Sequence, residues 1–78
     1  MDNKITLHNN LQTIRKKMNL SQAQVADSMG ITQAAIVAIE RRGMSIKLET
    51  LKRYVDAIGC KLNLNIEMPS GMYINLDV

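Results

Sequence analysis

The feature that most constrains the fold is a glycine, Gly30, that lies between two helix-start signals. Ser21 and Gln24 have the spacing of a capping box, in which each side chain satisfies a free backbone amide at a helix start. Gly30 accepts the left-handed backbone that commonly follows a helix end. Thr32, only two residues later, is a favourable cap for another helix. The segment therefore predicts two short helices joined by a tight turn, the second running to about Arg41.

Apolar residues at steps of three and four predict one more helix on each side of this pair. The first helix would carry Leu7, Leu11, Ile14 and Met18 on one face, and the fourth would carry Leu48, Leu51, Val55 and Ile58 before Gly59. Two short helices around a glycine turn form a helix-turn-helix. We therefore expect a mostly α fold of four to five helices, with residues 1–59 as the helix-turn-helix domain.

From Cys60 the apolar residues alternate with polar ones, which predicts two strands joined by a turn at Pro69-Ser70-Gly71. A lone two-stranded ribbon is marginal in water, so its apolar face needs a cover. The protein's own helices are one candidate. We favour a second copy of the ribbon, because helix-turn-helix proteins read paired half-sites with two-fold symmetry. Residues 60–78 would then be a dimerisation tail, with an interface made of Leu62, Leu64, Ile66, Met68, Met72, Ile74 and Leu76.

The charge and the cysteine content limit which partners and which cellular compartment the sequence favours. The net charge is +3, and residues 1–59 hold nine Lys and Arg against five Asp and Glu, so the basic excess lies in the helical part. Such a bias suits a nucleic-acid partner. Cys60 is the only cysteine, which excludes an intrachain disulfide and favours a reducing compartment. Because the first residues have no signal-peptide pattern, we expect a cytoplasmic protein that associates with the nucleoid when it is bound to DNA.

The motifs in Leu20-Ser21-Gln22-Ala23-Gln24-Val25-Ala26 and Met29-Gly30-Ile31-Thr32-Gln33-Ala34-Ala35-Ile36 resemble the XRE, or Cro/repressor-type, helix-turn-helix family. The resemblance covers residues 7–59 and implies a lambda-repressor-like fold. The ribbon further resembles antitoxin repressors, HipB-like ones in particular. This second resemblance implies autoregulation of a toxin-antitoxin operon and a HipA-like kinase toxin as a possible partner.

In this family the helix after the turn lies in the major groove. Carried onto this sequence, the resemblance implies base contacts from Thr32, Gln33, Ala34, Ala35 and Ala38. Gln33 can form a bidentate pair with adenine, whereas the alanines offer only methyl contact, so DNA shape would supply part of the specificity.

The resemblance also implies phosphate contacts and one structural ion pair. Gln22 at a helix start is the principal phosphate candidate. Ser21, Lys16, Lys17, Arg41, Arg42, Ser45 and Lys47 are the others. Arg15 and Glu40 are assigned to a partly buried ion pair. Val37 lies on an outer face and receives no role.

The sequence contains no pattern that indicates catalysis, a metal site or a cofactor, so we expect no enzyme. The favoured function is a dimeric repressor of a double-stranded DNA operator. A phage-type or free-standing regulator without a toxin, and a protein-interaction module that binds no DNA, remain as alternatives.

Overall fold

The structure is a computed structural model that describes residues 10–76, apart from the side chain of Met44. Its α-helices are α1 (Leu11–Lys17), α2 (Gln22–Met29), α3 (Gln33–Arg42) and α4 (Leu48–Ala57), with a 3-10 turn at Gly43–Ser45, followed by strands β1 (Leu64–Glu67) and β2 (Tyr73–Leu76). The predicted mostly α fold with a two-stranded ribbon is thus confirmed. Leu7, predicted for the first helix, and residues 77 and 78 at the end of the predicted tail lie outside the described residues.

The local signals around the turn form as the sequence predicts. The Ser21 hydroxyl accepts a hydrogen bond from the Gln24 backbone N–H at 3.1 Å. The Gln24 side-chain oxygen accepts one from the Ser21 backbone N–H at 2.8 Å. Gly30 ends α2 with a φ of +68°, a conformation that glycine adopts at little cost. The Thr32 hydroxyl accepts from the Ala35 amide at 3.1 Å and begins α3. Both ends of α2 and the start of α3 are therefore fixed by short-range contacts.

The core lies between the four helices. It consists of Leu11, Val25, Ala26, Ile36, Ile39, Leu51, Tyr54, Val55 and Ile58. Met18 was predicted to share the inward face of the first helix, but it is 42% exposed. The reason is that α1 ends at Lys17, so Met18 caps the helix and begins the turn instead of continuing the helix face.

The ribbon is antiparallel, with Leu64 opposite Leu76 and Ile66 opposite Ile74. Both pairs fall on one face, because side chains alternate along a strand. The sequence prediction of strands from Cys60 was wrong at the start: the first strand begins at Leu64. Cys60 and Leu62 pack instead against the helical core, which requires an irregular backbone between Gly59 and the ribbon.

Met68 and Met72, predicted as strand residues, belong to the turn. The Met68 amide donates to the Met72 carbonyl at 2.8 Å, and the Gly71 amide donates to the Met68 carbonyl at 2.9 Å. The methionines therefore close the tip of the ribbon.

Within residues 10–76, no helix is long and apolar enough to cross a membrane. In the same range, no group of three or more His, Cys, Asp or Glu side chains is placed to hold a metal ion.

Candidate nucleic-acid interface

The first turns of α3 present the predicted base-reading residues to solvent. Gln33, Ala34 and Ala38 are exposed, and Ala35 is half-buried. The opposite side of the helix is anchored in the core by Ile36 and Ile39. Thr32 is exposed as well, although its hydroxyl oxygen already caps the helix. The helix therefore offers one amide side chain and a row of methyl groups to an outside partner.

The predicted phosphate-contacting cations are all exposed, but they lie on different elements. Lys16 and Lys17 end α1, whereas Arg41 and Arg42 end α3. Arg42, Ser45 and Lys47 line one open groove together with Ala38. The structure thus brings one base-reading candidate beside three phosphate candidates. The Ser45 hydroxyl also donates to the Arg42 carbonyl at 2.9 Å, which holds this groove's edge.

Gln22 is more enclosed than a simple phosphate contact would be. Its side chain is half-buried, and its Nε2 donates to Glu40 Oε1 at 3.0 Å. Its Oε1 accepts from Gln33 Nε2 at 3.5 Å, the long end of the hydrogen-bond range. The candidate base reader is therefore connected through Gln22 to the protein interior.

The interior end of this connection is an ion pair between Arg15 and Glu40. The Arg15 Nε lies 2.7 Å from Glu40 Oε2, and its Nη2 lies 3.3 Å from Oε1. The side chains are only 6% and 5% exposed, respectively. The remaining guanidinium nitrogen, Nη1, donates to the Leu20 carbonyl at 2.8 Å. Each charged group is therefore compensated despite its burial.

Tyr54 is the site residue that the sequence analysis missed. It is fully buried, and its hydroxyl donates to Glu40 Oε2 at 2.6 Å and lies 3.3 Å from the Leu11 carbonyl oxygen. A sequence signal was present: Tyr54 falls three residues after Leu51 and four before Ile58, on the apolar face of α4. A buried tyrosine hydroxyl requires a polar partner, which the sequence spacing does not identify.

The proximity of these groups shifts their pKa values. Burial acts to raise the pKa of the Glu40 carboxyl, but hydrogen bonds from Arg15, Tyr54 and Gln22 outweigh it and hold that pKa below its usual value. The hydrogen bond to Glu40 raises the pKa of the Arg15 guanidinium against the effect of burial. Burial, together with the hydrogen bond to Glu40, raises the pKa of the Tyr54 hydroxyl well above its usual value. At neutral pH the cluster therefore contains a carboxylate, a guanidinium and a neutral phenol.

Val37, to which the sequence assigned no role, is half-buried at the edge of this cluster. It lines a small groove between helices together with Gln12, Gln22, Glu40 and Arg41. Its side chain therefore borders the groove that Gln22 and Glu40 share.

Comparisons with known proteins identify the family of this chain. A family model described as helix-turn-helix matches residues 11–65. Antitoxin HigA1 of Mycobacterium tuberculosis, in strains CDC 1551 / Oshkosh and H37Rv, is 38% identical over 60 residues. That match covers 77% of this chain but 40% of the relative, so the chain spans less than half the length of these relatives.

Two solved structures are similar over nearly the whole chain. One, described as showing DNA bending induced by a unique dimerisation of HigA antitoxin, has a TM-score of 0.83 and 31% identity, and covers 96% of this chain and 100% of that one. The other, DNA-bound antitoxin HigA3, has a TM-score of 0.84 and 32% identity, and covers 94% and 95%. These relatives are HigA antitoxins, so the comparisons do not support the HipB-like assignment made from the ribbon. From the family match and these structures, this chain belongs to the helix-turn-helix family.

Proposed function

We propose that this chain is a DNA-binding repressor that acts as a dimer and serves as the antitoxin of a HigA-type toxin-antitoxin pair. The observation that carries the proposal is the exposed start of α3, where Gln33 projects from a capped helix while Ile36 and Ile39 fix the opposite side. The DNA-bound HigA3 structure, 32% identical to this chain, supports the same use of the fold. Occupation of a promoter by such a dimer blocks transcription.

Sequence readout is assigned to the outer face of α3. The Gln33 amide can donate to N7 and accept from N6 of one adenine, a pattern that distinguishes A·T from G·C in the major groove. Ala34 and Ala38 offer methyl contact to thymine, with Thr32 and Ala35 beside them. Since four of these five side chains are small, the shape and flexibility of the operator contribute the rest of the specificity.

Phosphate contacts position this helix. The exposed cations Lys16, Lys17, Arg41, Arg42 and Lys47 supply the charge, and Ser21 and the amino end of α2 at Gln22 supply uncharged donors. Ser45 would donate to a phosphate only after its hydroxyl leaves the Arg42 carbonyl. Each such cation releases counterions when it neutralises a phosphate, so binding should weaken steeply with salt.

Dimerisation is assigned to the apolar face of the ribbon. Ile66, Ile74 and Leu76 are each exposed by more than two fifths in a single chain, although their neighbours across the strands are apolar too. A second ribbon would cover this face, with Met68 and Met72 extending the contact at the turn. Leu62 is reassigned from the interface to the chain's own core, against which it packs. The two copies of α3 would then lie about 34 Å apart, in successive major grooves.

The toxin partner is proposed on the strength of the HigA relatives, in place of the HipA-like kinase expected from the ribbon. An antitoxin should co-purify with the product of a neighbouring toxin gene. A free-standing regulator, the alternative, would purify alone and have no such neighbour. Co-expression of the chain with each adjacent reading frame, followed by affinity purification of the tagged chain, separates the two.

The DNA-binding function is tested by titrating the full chain against its own upstream DNA at several salt concentrations. We expect binding whose affinity falls steeply with salt, at a length of DNA that accommodates two half-sites. Absence of binding, or binding that does not depend on salt, would refute the proposal. A chain that dimerises normally and binds no DNA would instead support the protein-interaction alternative.

The Gln33→Ala variant tests the base assignment. We expect the variant to lose its preference at one base pair of each half-site, at a cost of about 1 to 3 kcal/mol per bidentate contact. Lys16→Ala is the matched control, because a phosphate contact should weaken all sequences equally and reduce the salt dependence. An unchanged sequence preference in Gln33→Ala would remove Gln33 from the interface.

A further inference from the structure

Glu40 occupies an unusual position for an acidic residue in a DNA-binding domain. It lies on α3, the helix assigned to the groove, yet its side chain points inward and is only 5% exposed. Hydrogen-bond donors from the other three helices surround its carboxylate. These donors are the Arg15 guanidinium, the Gln22 amide and the Tyr54 hydroxyl. The residue thus links the base-reading helix to the rest of the domain.

The two carboxylate oxygens have different partners. Oε2 accepts from Arg15 Nε at 2.7 Å and from the Tyr54 hydroxyl at 2.6 Å. Oε1 accepts from Gln22 Nε2 at 3.0 Å and, at a longer 3.3 Å, from Arg15 Nη2. Arg15 and Tyr54 together therefore hold the carboxylate plane so that one oxygen faces Gln22.

An ionised carboxylate can only accept hydrogen bonds, and this fixes the orientation of the amides beyond it. Gln22 must turn its NH2 group toward Glu40, so its oxygen faces Gln33. Gln33 must in turn direct its own NH2 group to that oxygen, at 3.5 Å. The Gln33 oxygen and one remaining N–H are left for an outside partner.

We propose that Glu40 is a positioning residue for sequence recognition: it fixes, through Gln22, the donor and acceptor pattern that Gln33 presents to a base. The proposal rests on the DNA-binding function proposed above. One acceptor beside one donor matches the N6 and N7 edge of adenine, whereas the O6 and N7 edge of guanine offers only acceptors. A Gln33 amide released from Gln22 could turn and donate to guanine as well. The buried carboxylate therefore contributes to discrimination between A·T and G·C.

The test uses two variants of the full chain that interrupt the connection at different points. Gln22→Met keeps the side-chain length and removes both the donor and the acceptor of the amide, and Tyr54→Phe removes one donor that holds the carboxylate. Each is titrated against four operators that differ only at the base pair whose preference is lost in Gln33→Ala. Ile58→Val, a change at another buried position of α4, is the control for lost stability.

We expect Gln22→Met to reduce the preference for A·T at that position by about fivefold or more, the lower end of what one bidentate contact discriminates. Tyr54→Phe should reduce it by about twofold to tenfold, equivalent to one hydrogen bond. Ile58→Val should leave it unchanged. In the Gln33→Ala background, Gln22→Met should cause no further loss of preference, because the two residues act in series.

Uniform weakening on all four operators, with the preference retained in both variants, would overturn the positioning role and leave Gln22 as a phosphate contact. A loss of preference in Ile58→Val equal to that in Tyr54→Phe would overturn it as well. Wild-type protein that bound none of the operators would refute the DNA-binding function itself. Wild-type binding is therefore measured first, which keeps the two failures distinct.

Discussion

At the residue scale, the stability of the domain depends on how the buried charge of the Glu40 carboxylate is compensated. Burial alone would disfavour the Glu40 carboxylate, and its stability in the ionised form comes from donors on three neighbouring helices. A buried ion pair of this kind adds little net stability compared with apolar residues, but loss of one member leaves an uncompensated charge. Single and double substitutions at the pair should therefore behave very differently.

Arg15→Met tests this asymmetry. We expect the free energy of unfolding to fall by about 3 to 5 kcal/mol, because the carboxylate stays buried without its guanidinium partner. Urea denaturation followed by circular dichroism measures the change. The double variant Arg15→Met/Glu40→Leu is the control and should recover part of the loss, since no charge remains. A double variant destabilised by the sum of its single changes would contradict the explanation.

Tyr54 gives a prediction at alkaline pH. Its folded-state pKa is raised above the ordinary value of 10.0, so its contribution to stability is complete below that pH and is lost as the pH rises above it. We expect the wild-type unfolding free energy to decline from about pH 10 upward. Tyr54→Phe should be less stable at pH 7, yet its stability should fall less steeply above pH 10. Equal slopes for the two proteins in urea titrations would contradict the assignment.

At the element scale, short-range signals determine where α2 begins and ends and where α3 begins. Ser21 and Gln24 form their reciprocal cap, Gly30 adopts the left-handed conformation, and Thr32 caps α3. Each signal operates within four residues, so the sequence pattern was sufficient to locate α2 and α3. The relative placement of these helices follows from the turn between them.

Gly30→Ala should isolate the contribution of the turn. A methyl group at this position would meet no heavy atom within 4 Å apart from those of its immediate chain neighbours, so the penalty is backbone strain at a φ of +68°. We expect a loss of about 1 to 2 kcal/mol in the unfolding free energy. Gly30→Asn is the matched control, because asparagine tolerates left-handed dihedrals better and should lose less. Equal losses in both variants would indicate a contact rather than strain.

The parts that sequence reasoning missed depend on contacts between distant residues. Tyr54 meets Glu40 across 14 positions and the Leu11 carbonyl across 43, and no periodicity reports such a meeting. Leu62 lies in the alternating pattern that predicts a strand, but it packs against the helical core and is not part of the ribbon. The periodicity of apolar residues predicts that a side chain is buried. Tertiary packing determines which residue it contacts, and the periodicity does not predict that residue.

At the scale of the whole molecule, the ribbon differs from the helical part in that nothing within residues 10–76 covers its apolar face. Leu64, Ile66, Ile74 and Leu76 share one face, and no charged side chain of β1 or β2 lies on it. The opposite face carries Asn65, Glu67, Tyr73 and Asn75. The two faces therefore provide a matched pair of positions for a test of dimerisation.

Ile74→Lys should abolish the dimer. The substitution adds a charge to the face proposed to be covered by a second copy, while the helical core is untouched. We expect a monomer in sedimentation equilibrium with an unchanged helical circular dichroism spectrum. Asn75→Lys adds the same charge to the opposite face at the adjacent position and should remain a dimer. Ile74→Lys protein that stayed dimeric would place the interface on the helices.

In the proposed dimer, where each ribbon is covered only by its counterpart, repression would be sensitive to the amount of protein in the cell. At concentrations where single chains predominate, the population of pairs rises with the square of the total, by mass action. The promoter would therefore respond to a change in synthesis more steeply than a lone DNA-binding unit allows. Degradation of a modest fraction of the chains would therefore free the promoter, whereas a monomeric DNA-binding protein would have to lose a larger fraction.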